Sequence, residues 1–314
     1  MQLGGGLLWV GIAAILCIAA SSVDAATTTR PIIGILAQPG PNTGEQYIAA
    51  SYVKYVEAAG ARVAPIFYNE TADNVRTLVA SLNGVLFTGG GADISVGTQF
   101  YSTALVIYNT ILQLNDAGIY MPLWGTCMGF ELINNLVSNA NVLGSVDAEN
   151  YTVALDFTPE FAYSRMFGRA QPIIIQNLAT KNITMNNHML SVYVSTFNAT
   201  AALTSFFNVL STNYDRQGVH FVSSIEGKKY PVYATQWHPE KNQFEWVNEV
   251  IDHSADAIYT MQYMANFLVG EARQNSNRFA NAAAESSALI YASARHLYDS
   301  GETADASFEE TYVW

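Results

Sequence analysis

Cys127 sits between two glycines in Trp124-Gly125-Thr126-Cys127-Met128-Gly129, after an apolar run and before a segment with helical spacing. Gly-x-nucleophile-x-Gly in that context is an elbow. The glycines leave room for a sharp turn that lifts the central side chain onto the C-terminal edge of a sheet. A thiol there stands at a helix N-terminus, where the positive end of the dipole favours the nucleophilic thiolate. The N–H of Met128 would point at an oxyanion formed beside the sulfur. The alternative is an inert buried cysteine between packing glycines.

A thiol nucleophile needs a base. Of five histidines, His238 lies in Thr235-Gln236-Trp237-His238-Pro239-Glu240, just past a strand. Residues i and i+2 of an extended segment face the same side, so Glu240 can reach the His238 ring. Pro239 holds His238 extended. A carboxylate on one ring nitrogen fixes the tautomer and frees the other for the thiol. Thr88-Gly89-Gly90-Gly91-Ala92-Asp93 is a glycine loop at a strand end. It lacks the Lys and Ser/Thr of a nucleotide-binding loop and fits no dinucleotide fingerprint. Gly90 is therefore the candidate for the second oxyanion donor, with a plain turn as the alternative.

The elements that must position these groups alternate. Pro31–Ala37, Arg62–Tyr68, Gly84–Thr88 and Ile119–Trp124 read as buried strands, and Gln38–Gln46 as a loop. Tyr47–Ala59, closed by Gly60, reads as a helix. So do a segment capped by Thr71 and running to Ser81, then Thr103–Asp116 and Thr126–Ser138. The stretch from Asn139 to Asn213 is less regular, with one strand candidate at Pro172–Gln176. His220–Glu226 and Pro231–Trp237 read as a hairpin about Gly227-Lys-Lys229, and a long helix spans about Ala255 to Gln274. From Asn275 the tail is polar and Ala-rich, with Ala288-Leu-Ile-Tyr291 able to dock. Strands separated by helices predict an α/β fold with a mainly parallel sheet covered on both faces, in one domain.

The 314 residues are 50% hydrophobic and 13% charged, which supplies a core and excludes global disorder. Fourteen Lys+Arg against 26 Asp+Glu give a net charge of −12, a poor match to nucleic-acid backbone. Leu7–Ala20 is an uncharged apolar run, short of the roughly 20 residues of a membrane span. Val23-Asp24-Ala25 offers the small residues of a cleavage site, so residues 1–25 read as a signal peptide and 26–314 as the mature chain. Met1–Gly6 lacks the usual Lys or Arg, and an uncleaved signal anchor is the alternative. Cleavage removes Cys17 and leaves Cys127 as the one thiol. Sequons at Asn69, Asn150, Asn182 and Asn198 fit export and predict surface positions.

With these motifs in place, the chain resembles the class I glutamine-amidotransferase-like hydrolases, and within them the γ-glutamyl hydrolase family. The resemblance runs from Arg30 to Tyr291. It is carried by the elbow, Gly89-Gly90 and Gln236–Glu240, and by Arg30–Leu36, Tyr47–Tyr55, Ser164-Arg-Met-Phe167 and Tyr230-Pro-Val-Tyr233. It implies a flavodoxin-like three-layer α/β/α sandwich and hydrolysis of γ-glutamyl amide bonds in folylpoly-γ-glutamates. It also implies a homodimer, a secreted or lysosomal setting, and no metal or organic cofactor. Cys127 would be the nucleophile, His238 its base with Glu240 behind it, and Gly90 and Met128 the oxyanion donors. Tyr47 matches a cleft-lining tyrosine. His188 matches a cleft histidine, although Asn186-Asn-His-Met-Leu190 departs from the family's Phe-His-x-Trp pattern. Thr88 stands where the family often has proline. A polyanionic substrate calls for cations in the cleft. Arg165 and Lys241 lie near matched motifs, and the sequence favours the plainer reading of both as surface charges. Two alternatives stay open: another γ-glutamyl or glutamine amidase of the superfamily, and a catalytically silent secreted binding protein on the same fold.

Overall fold

The computed structural model describes residue 1 and residues 27–247, 250–298 and 308–314. The expected signal peptide, with Cys17, lies outside the described residues apart from Met1. The scaffold begins with β1 (Ile32–Leu36), a short hairpin of β2 (Gln38–Pro39) and β3 (Gln46–Ala49), and α1 (Ala50–Ala58). Then come β4 (Arg62–Ile66), α2 (Ala72–Val79), β5 (Gly84–Phe87), α3 (Gln99–Asp116), β6 (Leu123–Thr126) and α4 (Met128–Ser138). The middle of the chain adds β7 (Gly144–Val153), β8 (Asp156–Phe157), α5 (Pro172–Thr180), β9 (Thr184–Ser191), α6 (Val194–Ala199), α7 (Ala201–Phe206) and β10 (Phe207–Tyr214). Next are β11 (His220–Gly227), β12 (Val232–Thr235), α8 (Lys241–Phe244) and α9 (Ala255–Ala272), followed by α10 (Ala282–Ala288), β13 (Arg295–Tyr298) and β14 (Glu310–Val313).

The main sheet has the order β4-β1-β5-β6-β12-β11-β10-β8. Its first five strands are parallel, with Ile33 opposite Val63 and Gly84, and Trp124 opposite Leu86 and Tyr233. In chain order this is the flavodoxin-like 2-1-3-4-5 arrangement. The last three strands pair antiparallel. Alternation along each strand splits the core in two. Ile33, Ile35, Val63, Leu86, Trp124 and Tyr233 face α1 and α9, whereas Ile32, Leu36, Val85, Phe87, Leu123 and Val232 face α2, α3 and α4. Burial on both faces explains why these strands are apolar throughout. The expected hairpin is present, with Ser224 opposite Thr235, and Thr71 caps α2 by accepting the Asn74 N–H at 3.3 Å.

Four readings of the sequence are corrected. Gln38–Gln46 is not a plain loop, because its ends form β2 and β3. Tyr47–Ala49 is strand and the helix begins at Ala50, since β3 pairs with β14 from the far end of the chain. Pro172–Gln176 is the start of α5. Proline at its first position suits a helix, and packing of Ile174 and Leu178 into the core outweighs the strand preference of the isoleucine run. Helix α3 begins at Gln99, four residues before the expected Thr103, where Thr98 accepts the Tyr101 N–H at 3.2 Å. The irregular middle carries β7 paired with β9, which form a separate two-stranded sheet. The tail docks: Ile290 is fully buried, and β14 joins β3 and β13 in a second sheet.

Candidate active site

Cys127 occupies a strained turn between β6 and α4, with φ 52° and ψ −110°. A non-glycine residue there costs about 1–3 kcal/mol, so the surroundings must hold it. They do: the Cys127 N–H donates to Thr235 O at 2.9 Å, and Cys127 O accepts the Glu131 N–H at 3.0 Å. The flanking glycines are sterically required. A Cβ on Gly125 would lie 2.6 Å from Gly129 O, and one on Gly129 would lie 2.1 Å from Phe87 O. The elbow inferred from the spacing is therefore the local structure.

His238 follows β12, and its N–H donates to Met185 O at 2.8 Å. Its Nδ1 lies 2.6 Å from Glu240 Oε1, and both residues are buried. Burial holds the imidazole below its ordinary value, and the Glu240 carboxylate only partly opposes this. Burial would raise Glu240, but the His238 ring and its hydrogen bond outweigh that and keep it low. The pair is thus a neutral imidazole donating Nδ1–H to a carboxylate. His238 Nε2 has no hydrogen-bond partner among the described residues. Cys127 Sγ is 3.9 Å from Asn187 O. Burial, then the fields of Glu131 and Glu240, push its pKa well up, and the Met128 N–H only partly compensates. The helix dipole expected to favour the thiolate is outweighed, so the resting sulfur keeps its proton.

A cavity of about 350 Å³ opens onto these groups, and Gly90, Cys127, Met128, His188 and His238 all line it. Gly90 has φ +148°, and a Cβ there would strike the Gln38 amide at 2.1 Å. Gln38 Nε2 donates to Thr88 Oγ1 at 2.8 Å and to Gly89 O at 2.5 Å, tying down the glycine loop. The Gly89 N–H donates to Tyr52 Oη at 2.8 Å, and the same hydroxyl is 3.3 Å from His238 Nδ1. Sequence reasoning missed both supports, reading Tyr52 only as part of a helix and Gln38 as loop.

His188 is also buried, and its ring nitrogens face Leu190 O at 2.9 Å and Asn186 Oδ1 at 3.1 Å. Burial lowers it to about 3, so it is neutral. Tyr47 is not among the described lining residues. It packs on Phe308, ring centroids 6.4 Å apart, and Phe308 itself lines the cavity. Arg165 is also elsewhere, held by Glu226 at 3.2 Å and by the carbonyls of Gly227 and Tyr230. Lys241 is no surface charge: it is 2% exposed and lines the cavity. Glu131 and Glu149 line it too. Burial lifts the Glu131 carboxyl to about 7, although it accepts from Gln236 Nε2 at 3.0 Å. Its position four residues after Cys127, one helical turn on, is the signal that could have revealed it. The four sequon asparagines, Asn69, Asn150, Asn182 and Asn198, are all exposed. No helix among the described residues is long and apolar enough to cross a membrane.

The family model described as peptidase C26 matches residues 31–240. Gamma-glutamyl hydrolase B of Dictyostelium discoideum is 43% identical over 268 residues, covering 83% of this chain and 77% of that protein. Human gamma-glutamyl hydrolase is 42% identical over 271 residues, covering 84% and 85%. The glutaminase domain of Trypanosoma brucei CTPS superposes with a TM-score of 0.51 at 13% identity, covering 79% of this chain and 95% of that one, a likeness of fold alone. A match across most of the chain, including both the elbow and the His-Pro-Glu run, places this protein in the peptidase C26 family.

Proposed function

We propose that the protein is a cysteine hydrolase of γ-glutamyl amide bonds, with folylpoly-γ-glutamates as its substrates. The observation that carries this reading is the state of His238: Nδ1 is occupied by Glu240, and Nε2 has no partner among the described residues, in a side chain that shares a cavity wall with Cys127. The names of the relatives supply the bond type.

The sulfur of Cys127 attacks the γ-carbonyl carbon while its proton passes to His238 Nε2. The carbonyl oxygen becomes an oxyanion, held by the Gly90 and Met128 N–H groups. The imidazolium, stabilised by Glu240, gives its proton to the leaving nitrogen, and the C–N bond breaks to leave a thioester. Water then loses a proton to His238 and attacks the thioester. The thiol leaves reprotonated and the γ-carboxylate is released. No step calls on a metal or organic cofactor.

The experiment is incubation with a defined folylpolyglutamate, following shortened chains and freed glutamate, for wild type and Cys127→Ala. Shortening by wild type alone is expected. Turnover of glutamine without action on polyglutamate would favour the amidase alternative, and no turnover of either would favour a silent binding protein. The reading extends to export with cleavage after Ala25, glycosylation, and a homodimer. The exposure of all four sequons supports glycosylation. A mass shift on enzymatic deglycosylation and a sedimentation mass of two chains are the expected results.

A further inference from the structure

Lys241 follows Glu240 directly and is the single Lys or Arg among the described residues lining the cavity. Its side chain is almost wholly buried, yet no described carboxylate comes within the 4.0 Å of an ion pair. Glu240 and Glu245 feel its field without contacting it. What covers it is the ring of Phe308, with Nζ 5.0 Å from the centroid. Among the described residues the ammonium has a ring face but no ion pair or side-chain hydrogen bond, so an anion entering the cavity would supply its first charge-assisted contact. The open direction is the cavity. The other charged residues lining it, Glu131 and Glu149, are acidic and disfavour an anion elsewhere on the wall.

We propose that Lys241 is the carboxylate-binding residue of this site, receiving the α-carboxylate of the glutamyl unit whose γ-carbonyl meets Cys127. This inference rests on the γ-glutamyl reading and adds to it the group that distinguishes an acidic substrate from a neutral one. An ammonium beside the catalytic carboxylate can anchor the near end of the glutamyl side chain while the far end lies at the elbow. Phe308 acts as a positioning residue. Its ring face attracts the ammonium from one side and keeps the charge at the cavity wall.

The test uses the full chain and two fluorogenic probes, a γ-glutamyl 7-amino-4-methylcoumarin amide with a free α-carboxylate and its α-carboxamide counterpart. Wild type should show a KM at least about tenfold lower for the free acid, the scale of one charge-assisted contact. Lys241→Met, which keeps the length and apolar stem, should bring the KM ratio close to one, and Lys241→Arg should restore part of it. Equal KM values in wild type would overturn the proposal without recourse to any variant, as would a ratio unchanged in Lys241→Met. A parallel assay on a defined folylpolyglutamate keeps the two readings apart: no shortening there would overturn the γ-glutamyl reading and this inference with it, whereas shortening with equal KM values for the two probes overturns this inference alone.

Discussion

Glu240 accepts the His238 Nδ1–H at 2.6 Å from a fully buried position, so its work is to hold one tautomer and to stabilise the imidazolium when it forms. Glu240→Gln keeps the shape and removes the charge. The expected result is a fall in kcat of at least about 100-fold with little change in KM, measured by steady-state kinetics. Glu131 contributes differently. Its carboxyl, raised by burial to about 7, is neutral below that pH and negative above it. A negative wall repels a glutamate chain, so wild-type KM should rise on the order of tenfold from pH 6 to pH 8. Glu131→Gln should hold KM nearly flat across the same range. Tyr52 and Gln38 show why part of the site was hidden. Their residue types are ordinary, and only their distances to Gly89 and His238 give them a place.

At the scale of elements, two junctions and one strand build the site. The β6–α4 junction sets Cys127 and the β12–α8 junction sets His238, and β6 and β12 are parallel neighbours, with Thr126 opposite Thr235. Adjacent strands therefore deliver nucleophile and base to the same sheet edge. The strand is β14, which anchors the residues just before it against the site: Phe308 lines the cavity, and the Glu309 N–H donates to Glu245 Oε2 at 2.9 Å. Deleting residues 308–314 removes the buried Phe308 and Val313 and leaves β3 paired with β2 alone among the described strands. Thermal denaturation should show Tm lowered by about 5–10 °C. KM should rise as well, because the wall over Lys241 is gone.

For the whole molecule, the balance of charge sets a long-range condition. A net charge of −12 repels a polyglutamate tail before any contact is made. Salt screens that repulsion, since the Debye length falls from about 30 Å at 0.01 M to about 10 Å at 0.1 M. kcat/KM should therefore rise by about threefold between those salt concentrations, more steeply for longer glutamate chains. A series of substrates of increasing length, each measured at both ionic strengths, checks this. The core on both faces of the sheet leaves the fold independent of disulfides among the described residues, where Cys127 is a free thiol.

The sequence alone determined the α/β class, the order of the parallel strands' helices, the elbow and the His-Pro-Glu run. Each of these is a local pattern: a period, a glycine where a Cβ cannot fit, or two residues on one side of an extended segment. Only the tertiary structure decided that Tyr47 lies in a strand and not a helix, that Lys241 is buried and Arg165 is elsewhere, and that the tail reaches the site through Phe308. The same holds for the protonation of Cys127 and Glu131, which depends on burial and on neighbours distant in the chain. The physical reason is common to all of them. Pairing partners, desolvation and cavity walls arise from contacts between remote segments, and no window of residues carries that information.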